Sequence, residues 1–509
     1  MIIASVIILK IIWSILFMEQ IGFDSKKYLK LQSEHIQERI DSFEKLYLEF
    51  GGKLFDDYHA SRVLPGFAPD NKLKMLEKLK DIAEIIIVVN ADAIKQNKIR
   101  SDLGITYDEE TLRLKKEFEK RGFLVSGIVI TQYTCQPAAD KFRTKCTNLG
   151  VKTYLHYLIQ GYPGNIPLIV SDDGYGRNEY IATKRKLCVV TAPGPGSGKM
   201  ATCLSNLYHD HKHGIKAGYA KFETFPIWNL PLQHPVNLAY ESATVDLDDV
   251  NMIDPFHLEA YGKTTVNYNR DVETFPVLKE IFKQILGSSP YQSPTDMGVN
   301  MAGFAIVDDE VCQRSAKEEM LRRYYATACQ VRKGNCPKSE LDKQEFLLKR
   351  ADLKPEDRAI VPAALKRQAE TGKPCAAIQL ENGEIVVGRT SRLLGAAASV
   401  VLKVLKQLSG LPHEEKLLTE EYVKPIQQLK TLDLKSKNPN LHVEEALVAL
   451  ACCSSTNENA KLALAQLPKL RNLEFHSSVI LSPVDEGTIR RLGMHLTCSP
   501  EYEIKEKGN

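Results

Sequence analysis

Residues 186–214, KLCVVTAPGPGSGKMATCLSNLYHDHKHG, decide how the chain is read. The apolar run 187–190 reads as a buried strand. Gly194, Gly196 and Gly198 follow in quick succession, and from Lys199 the spacing predicts a helix to about His213. Strand, glycine turn and helix together make a phosphate cradle. Glycines let backbone N–H groups approach an anion, the helix N-terminus adds partial positive charge, and a lysine can reach the outer phosphates.

The match to the P-loop pattern is incomplete. Pro193 stands where the pattern has its first glycine, and Met200 where it has the Ser or Thr that holds magnesium. Thr202 cannot stand in, because a helix turns about 100° per residue. The competing reading is a glycine turn that only lets a helix pack close to a strand. On the phosphate reading, Gly194, Gly196, Ser197, Gly198 and Lys199 hold a phosphate-bearing ligand. The stretch does not name a reaction.

A chain of 509 residues exceeds one ordinary core, so two or three domains are expected. Hydrophobic content of 43% and charged content of 26% are those of a soluble globular protein. A net charge of +3 leaves no electrostatic footprint for nucleic acid. The 11 cysteines form no Cys-x-x-Cys pair, which fits reduced thiols in a cytoplasmic protein better than a disulfide framework or a zinc site. Residues 1–17, MIIASVIILKIIWSILF, differ in character from everything after Met18. They lack a basic start and a small-residue cleavage site, and as a span they are short and broken by Lys10. They read as an upstream extension outside the fold, with no stable membrane association.

Apolar runs alternate with helical spacing along the next part of the chain. Strands are predicted at 47–55, 85–89, 123–130, 153–159, 168–170, 187–190 and 217–222, with helices at 26–47, 71–83, 110–121, 138–149 and 199–213. This pattern predicts an α/β fold, a Rossmann-like parallel sheet with helices on both faces. Ligands of such sheets bind beyond the carboxyl ends of the strands. The polar residues that follow strands are therefore the site candidates: Asp56, Asp57, His59, Ser61, Arg62, Asn90, Asp92, Gln132, Asp172, Asp173, Lys199 and Glu223. Among them Asp56, Asp57, His59, Asp172 and Asp173 are candidates for acid–base work or for holding Mg2+, and Arg62 and Glu223 for contacting the ligand. Turn and cap chemistry is the ordinary alternative for each of them.

Residues 225–303 have proline breaks and little periodicity, as walls and lids do. Asp254, His257 and Glu259 read as a capped helix start rather than a metal site. Asn267, Asn269, Arg270 and Asp271 lie close together, and 288–300 reads as a long polar loop. Residues 306–354 are strongly helical. A last domain from 355 to 509 opens with a hairpin whose turn holds Asn382-Gly383, followed by helices and short strands, a small layered α/β domain. It lacks the His-x-Glu and Pro-Cys-x-x-Cys pairs of zinc deaminases. The Rossmann-like domain is bounded at 18–305.

Several segments resemble, in order, a family of bacterial proteins, the domain of unknown function 1846 family. They are FGGKLFDDYHASRVLPGF (50–67), TAPGPGSGKMATCLS (191–205), YAKFETFPIWNLPL (219–232), VNMIDPFHLEAYG (250–262) and SPTDMGVNMAGF (293–304). The resemblance runs from about Glu19 to the C-terminus. It implies a cytosolic protein with a Rossmann-like part, a helical insert and a small C-terminal α/β domain, and it supplies no catalytic residue. From the residues, an enzyme binding a nucleotide or phosphorylated metabolite is expected, with Mg2+ as its companion. A non-catalytic ligand sensor or assembly subunit is the alternative, and a homo-oligomer is compatible with either.

Overall fold

The computed structural model describes residues 21–503 except 53, 56 and 101–103. The leader 1–17 and the candidate Asp56 lie outside the described residues. The rest falls into two compact units, Ile21–Ala316 and the chain from Lys317 onward.

The first unit is built on a seven-stranded sheet. In chain order its strands are β1 (Lys45–Phe50), β2 (Ala83–Asn90), β3 (Leu124–Tyr133), β4 (Thr153–Tyr157), β5 (Leu187–Thr191), β6 (Ala217–Phe222) and β7 (Gly298–Val299). Across the sheet the order is β7-β6-β1-β5-β2-β3-β4, and every pairing is parallel. The Rossmann-like α/β expectation therefore holds. The near-continuous apolar runs in β2 and β5 are what strands buried on both faces require. After β4 the chain returns to insert β5 between β1 and β2 and then crosses β1 to form β6. The sheet's direction of growth reverses there, and doubly wound sheets bind ligands at such a point.

The connecting helices are α1 (Ser25–Asp41), α2 (Tyr58–Val63), α3 (Asn71–Lys78), α4 (Tyr107–Lys120), α5 (Pro137–Asn148), α6 (Lys199–Lys212) and α7 (Asn269–Leu286). Alternation along β1 and β6 sorts the faces. Tyr47 and Tyr219 join Cys203, Leu204 and Leu207 of α6 and Phe275, Leu278 and Phe282 of α7 in one buried core. Phe50 and Phe222 turn the other way and stack at 4.3 Å, with Lys72 of α3 over the Phe222 ring.

Two sequence expectations are overturned. Residues 168–170 are not a strand. Leu168 and Ile169 lie in a short helix, Ile166–Ile169, that Val170 ends; Pro167 sits in its first turn, where a missing N–H costs nothing. The loop expected over 288–300 contains the edge strand β7, held by pairing of Gly298 and Val299 with Lys221 and Phe222. The capped start at Asp254 is present: its carboxylate accepts from the His257 N–H at 3.0 Å.

In the second unit β8 (Cys375–Gln379), β9 (Ile385–Arg389), β10 (Glu474–Ser477) and β11 (His495–Cys498) form a four-stranded sheet ordered β9-β8-β10-β11. The β8–β9 hairpin turns at Asn382-Gly383, where Gly383 has φ 81°. Helix Ala396–Leu408 lays Ala397, Val400, Val401 and Val404 into the same core as Ile378 and Phe475. The fully buried Arg358 pairs with Glu474 at 2.6 Å, and Arg322 meets the same carboxylate at 2.8 Å.

Candidate functional site

The glycine loop leaves β5 at the reversal point. Gly196 and Gly198 have φ of 71° and 85°, a region that L side chains avoid. A Cβ on Gly198 would also lie 3.0 Å from the Thr131 hydroxyl, and one on Gly194 would collide with the Tyr107 hydroxyl. The loop's carbonyls are turned toward the protein. Gly194 O accepts from Ser197 Oγ at 2.8 Å, Gly196 O from the Asn90 amide at 3.3 Å, and Ser197 O from Thr131 Oγ1 at 2.7 Å. Among the described residues, the N–H groups of Gly196, Ser197, Gly198, Lys199, Met200 and Ala201 meet no backbone acceptor, and that of Thr202 donates to Gly198 O at 3.0 Å. That is the arrangement of an anion site.

Beside the loop lies a dense charged cluster on the face of the sheet covered by α6 and α7. Strand register places Glu49 of β1 directly beside Lys221 of β6. Lys199, the first residue of α6, lies with its Nζ 3.9 Å from Glu49, whose other oxygen accepts from the Tyr219 hydroxyl at 2.7 Å. Lys221 Nζ lies 2.7 Å from Glu223, donates to the Tyr268 hydroxyl at 2.6 Å and pairs with Asp271 in the first turn of α7. Tyr268 in turn donates to Glu223 at 2.5 Å. Arg270 lies over the Tyr268 ring and reaches Asp249 at 3.3 Å.

Burial sets the electrostatics. It pushes the Glu223 carboxyl up to about 7, against the pull of Lys221 and with added repulsion from Asp271. It lowers the Lys199 ammonium as well, which the neighbouring Glu49 only partly offsets and the nearby Lys221 reinforces. Lys221 moves the other way: Asp271 and Glu223 together overcome its desolvation and hold its proton firmly. A carboxyl near half-protonation between an ammonium and a phenol can both give and take a proton.

The candidates read from the sequence divide into two groups. Lys199, Glu223 and the glycine loop converge. His59, in α2, stands near them, its ring 5.3 Å from Phe225 and 6.2 Å from Tyr240, which leads by stacking to Tyr268. Asp57 is occupied otherwise: it caps α2 and forms a 2.8 Å ion pair with the buried Lys72. Burial opposes its charge, but Lys72 outweighs burial and the carboxyl titrates below its ordinary range. Arg62 lies half-buried in the last turn of α2. Asp172 and Asp173 do not join the rim. Asp172 accepts from Tyr208 at 2.9 Å and pairs with Lys212, both in the last turns of α6, and Asp173 is exposed beside it. At about 1.5 Å per residue, the far end of α6 is roughly 20 Å from the loop. With no strand at 168–170, these aspartates follow none, which removes the reason for expecting them at the rim. No cluster of three or more His, Cys, Asp or Glu among the described residues could hold a metal ion.

Sequence reading missed Glu49, Lys221, Tyr268 and the pairing role of Asp271. A signal existed for two of them: Glu49 and Lys221 are charged residues inside otherwise apolar strands, KLYLEF and AGYAKF.

These features define a doubly wound α/β protein with a glycine loop and a buried charge cluster at one strand edge. The chain matches the N-terminal model of the domain of unknown function DUF1846 over residues 21–352 and the C-terminal model over 356–507. It is 54% identical over 487 residues to a "UPF0371 protein" of Streptococcus sanguinis strain SK36, covering 96% of this chain and 99% of that one. Over the same length and shares it is 53% identical to a UPF0371 protein of Streptococcus thermophilus strain CNRZ 1066 and 54% identical to one of Streptococcus pyogenes serotype M5. The chain belongs to the DUF1846 family. Among the described residues no helix is long and apolar enough to cross a membrane.

Proposed function

We propose that the protein is an enzyme that binds a nucleotide or phosphorylated metabolite, with a phosphate seated on the glycine loop. One observation carries the reading. The carbonyls of Gly194, Gly196 and Ser197 are bonded back to Ser197, Asn90 and Thr131, while the N–H groups of Gly196, Ser197, Gly198, Lys199, Met200 and Ala201 have no backbone acceptor at the edge of the sheet. Lys199 stands behind that opening with its charge incompletely matched by Glu49. An arriving phosphate would complete its coordination. Because phosphate ligands commonly carry Mg2+, we propose the ion as a companion of the ligand rather than as a resident of the protein. The cysteines are all free thiols, which supports a reducing, cytoplasmic setting.

The test is a thermal-shift and calorimetric screen of pyrophosphate, nucleotides and sugar phosphates, with and without magnesium. Stabilisation by pyrophosphate that Gly198→Ala removes is the expected result, because a Cβ there would displace the loop against Thr131. Indifference of the protein to every phosphate compound would overturn the reading.

A further inference from the structure

Buried charges are costly, and the cluster beside the loop brings Glu49, Lys199, Lys221, Glu223 and Asp271 together with little exposure. Glu223 is its centre. Its carboxyl is 4% exposed, and its partners come from two directions: Lys221 two residues back, near the end of β6, and the Tyr268 hydroxyl at the start of α7. Both also touch each other, and Asp271 anchors the Lys221 ammonium from the far side. The other charged groups facing this point are Glu49, Lys199, Arg270 and Asp249. One carboxyl therefore lies between two proton donors, next to the ammonium that guards the anion loop.

We propose that Glu223 is the catalytic acid–base group of this site, and that it moves a proton within a phosphorylated carbonyl compound whose phosphate is held by the glycine loop. The assignment rests on the phosphate reading above. In the step, a C–H bond next to the ligand's carbonyl breaks and its proton forms an O–H bond on Glu223. The electron pair left on carbon moves to the carbonyl oxygen. The ammonium groups of Lys221 and Lys199 are the cations nearest to that developing negative charge. Glu223 then returns the proton to the former carbonyl carbon while the hydroxyl proton of the adjacent carbon passes to the former carbonyl oxygen, so that a new carbonyl forms, atoms and electrons balance within one molecule, and no oxidant, reductant or second reactant is consumed. Tyr268 keeps its hydrogen bond to Glu223 throughout and steadies the carboxylate form. Burial of Glu223, which brings its protonation into the neutral range, suits it to both halves of the exchange.

The experiment follows deuterium uptake from D2O into aldose and ketose phosphates by NMR, using the full chain. Pyrophosphate affinity is measured alongside. Wild type is expected to label at least one compound at the carbon next to its carbonyl. Glu223→Gln is expected to slow labelling by at least about 100-fold while leaving pyrophosphate affinity within about threefold. Tyr268→Phe, which keeps the ring over Lys221, is expected to slow labelling about tenfold and serves if the Gln variant does not fold. Labelling at the wild-type rate in either variant would overturn the assignment. Pyrophosphate binding without labelling of any carbonyl phosphate would overturn it while leaving the loop reading intact. Absence of both binding and labelling would remove the two together.

Discussion

Replacing Lys199 by methionine keeps the stem that packs at the start of α6 and removes only the charge. The ammonium lies 3.9 Å from Glu49, and their side chains are 14% and 9% exposed. At an effective dielectric of about 20, two charges at that distance attract by about 4 kcal/mol. Desolvation of Lys199, reinforced by Lys221, outweighs this attraction, as its lowered pKa requires. Removing the ammonium relieves that desolvation and leaves Glu49 with Tyr219 as its hydrogen-bond donor. The ammonium is therefore no net source of stability. Differential scanning calorimetry should show the first unit melting no lower than in wild type. Glu49→Gln in the same chain removes the stranded charge and should not lower the melting temperature further. Pyrophosphate affinity, read by titration calorimetry, should fall at least about tenfold in both the single and the double variant, since a charge-assisted hydrogen bond contributes about 1.5–3 kcal/mol. Full recovery of affinity in the double variant would refute the reasoning, because the lysine would then serve only to neutralise Glu49. Unchanged affinity in the single variant would refute it outright.

Three further outcomes follow from the same structure. The folded chain holds a proton on Glu223 up to about pH 7, whereas the unfolded chain releases it near 4.5; Glu223's contribution to stability is therefore complete below about pH 4.5 and is lost as pH rises through 7, and a melting series from pH 4.5 to 8 should show wild type losing stability relative to Glu223→Gln, whose neutral amide does not titrate. Asp57→Asn should cost about 3–5 kcal/mol by urea unfolding, because it strands the buried Lys72 ammonium; a change below about 0.5 kcal/mol would return Asp57 to the candidates for acid–base work or for holding Mg2+. A fragment from Lys317 to the C-terminus should fold, whereas one from Pro355 should not, because the latter lacks Arg322 against Glu474 and Glu318 against Arg358; equal near-ultraviolet dichroism and cooperative melting of the two would place the boundary at 355.

Sheet and loop were legible because periodicity and glycine spacing are local signals. β2, β5 and β6 lie within two residues of their expected positions, since each is a short apolar run between polar breaks. The hairpin at Asn382-Gly383 was legible for the same reason: the turn demands a residue tolerant of positive φ. The helix at 166–169 was not, because three apolar residues cannot distinguish a strand from one turn of helix, and only Pro167 hinted at the answer. The site was half legible. Lys199 and Glu223 end local elements and could be seen as rim residues. Glu49, Lys221 and Tyr268 meet only because β1 and β6 are neighbours in space, a fact of strand order that no local pattern carries.

Two buried carboxylates in the first unit show why the cluster at the loop reads as functional. Asp210, toward the C-terminal end of α6, is fully buried and saturated: Tyr47 and Tyr180 each donate at 2.6 Å and Lys45 at 3.3 Å. Every oxygen has a donor, which is what a structural carboxylate needs. At the other end of the same strands the balance differs. Lys221 is shared between Glu223 and Asp271, Lys199 stands at a loose 3.9 Å from Glu49, and Arg270 keeps a half-exposed guanidinium above Tyr268. The N-termini of α6 and α7 both begin at this edge and add partial positive charge. Asp210 is matched by donors within the protein, whereas the loop edge keeps open N–H groups and an incompletely matched ammonium. On the proposed reading, those open N–H groups would receive an anion from outside the chain, and the buried carboxyl beside them would supply the proton chemistry.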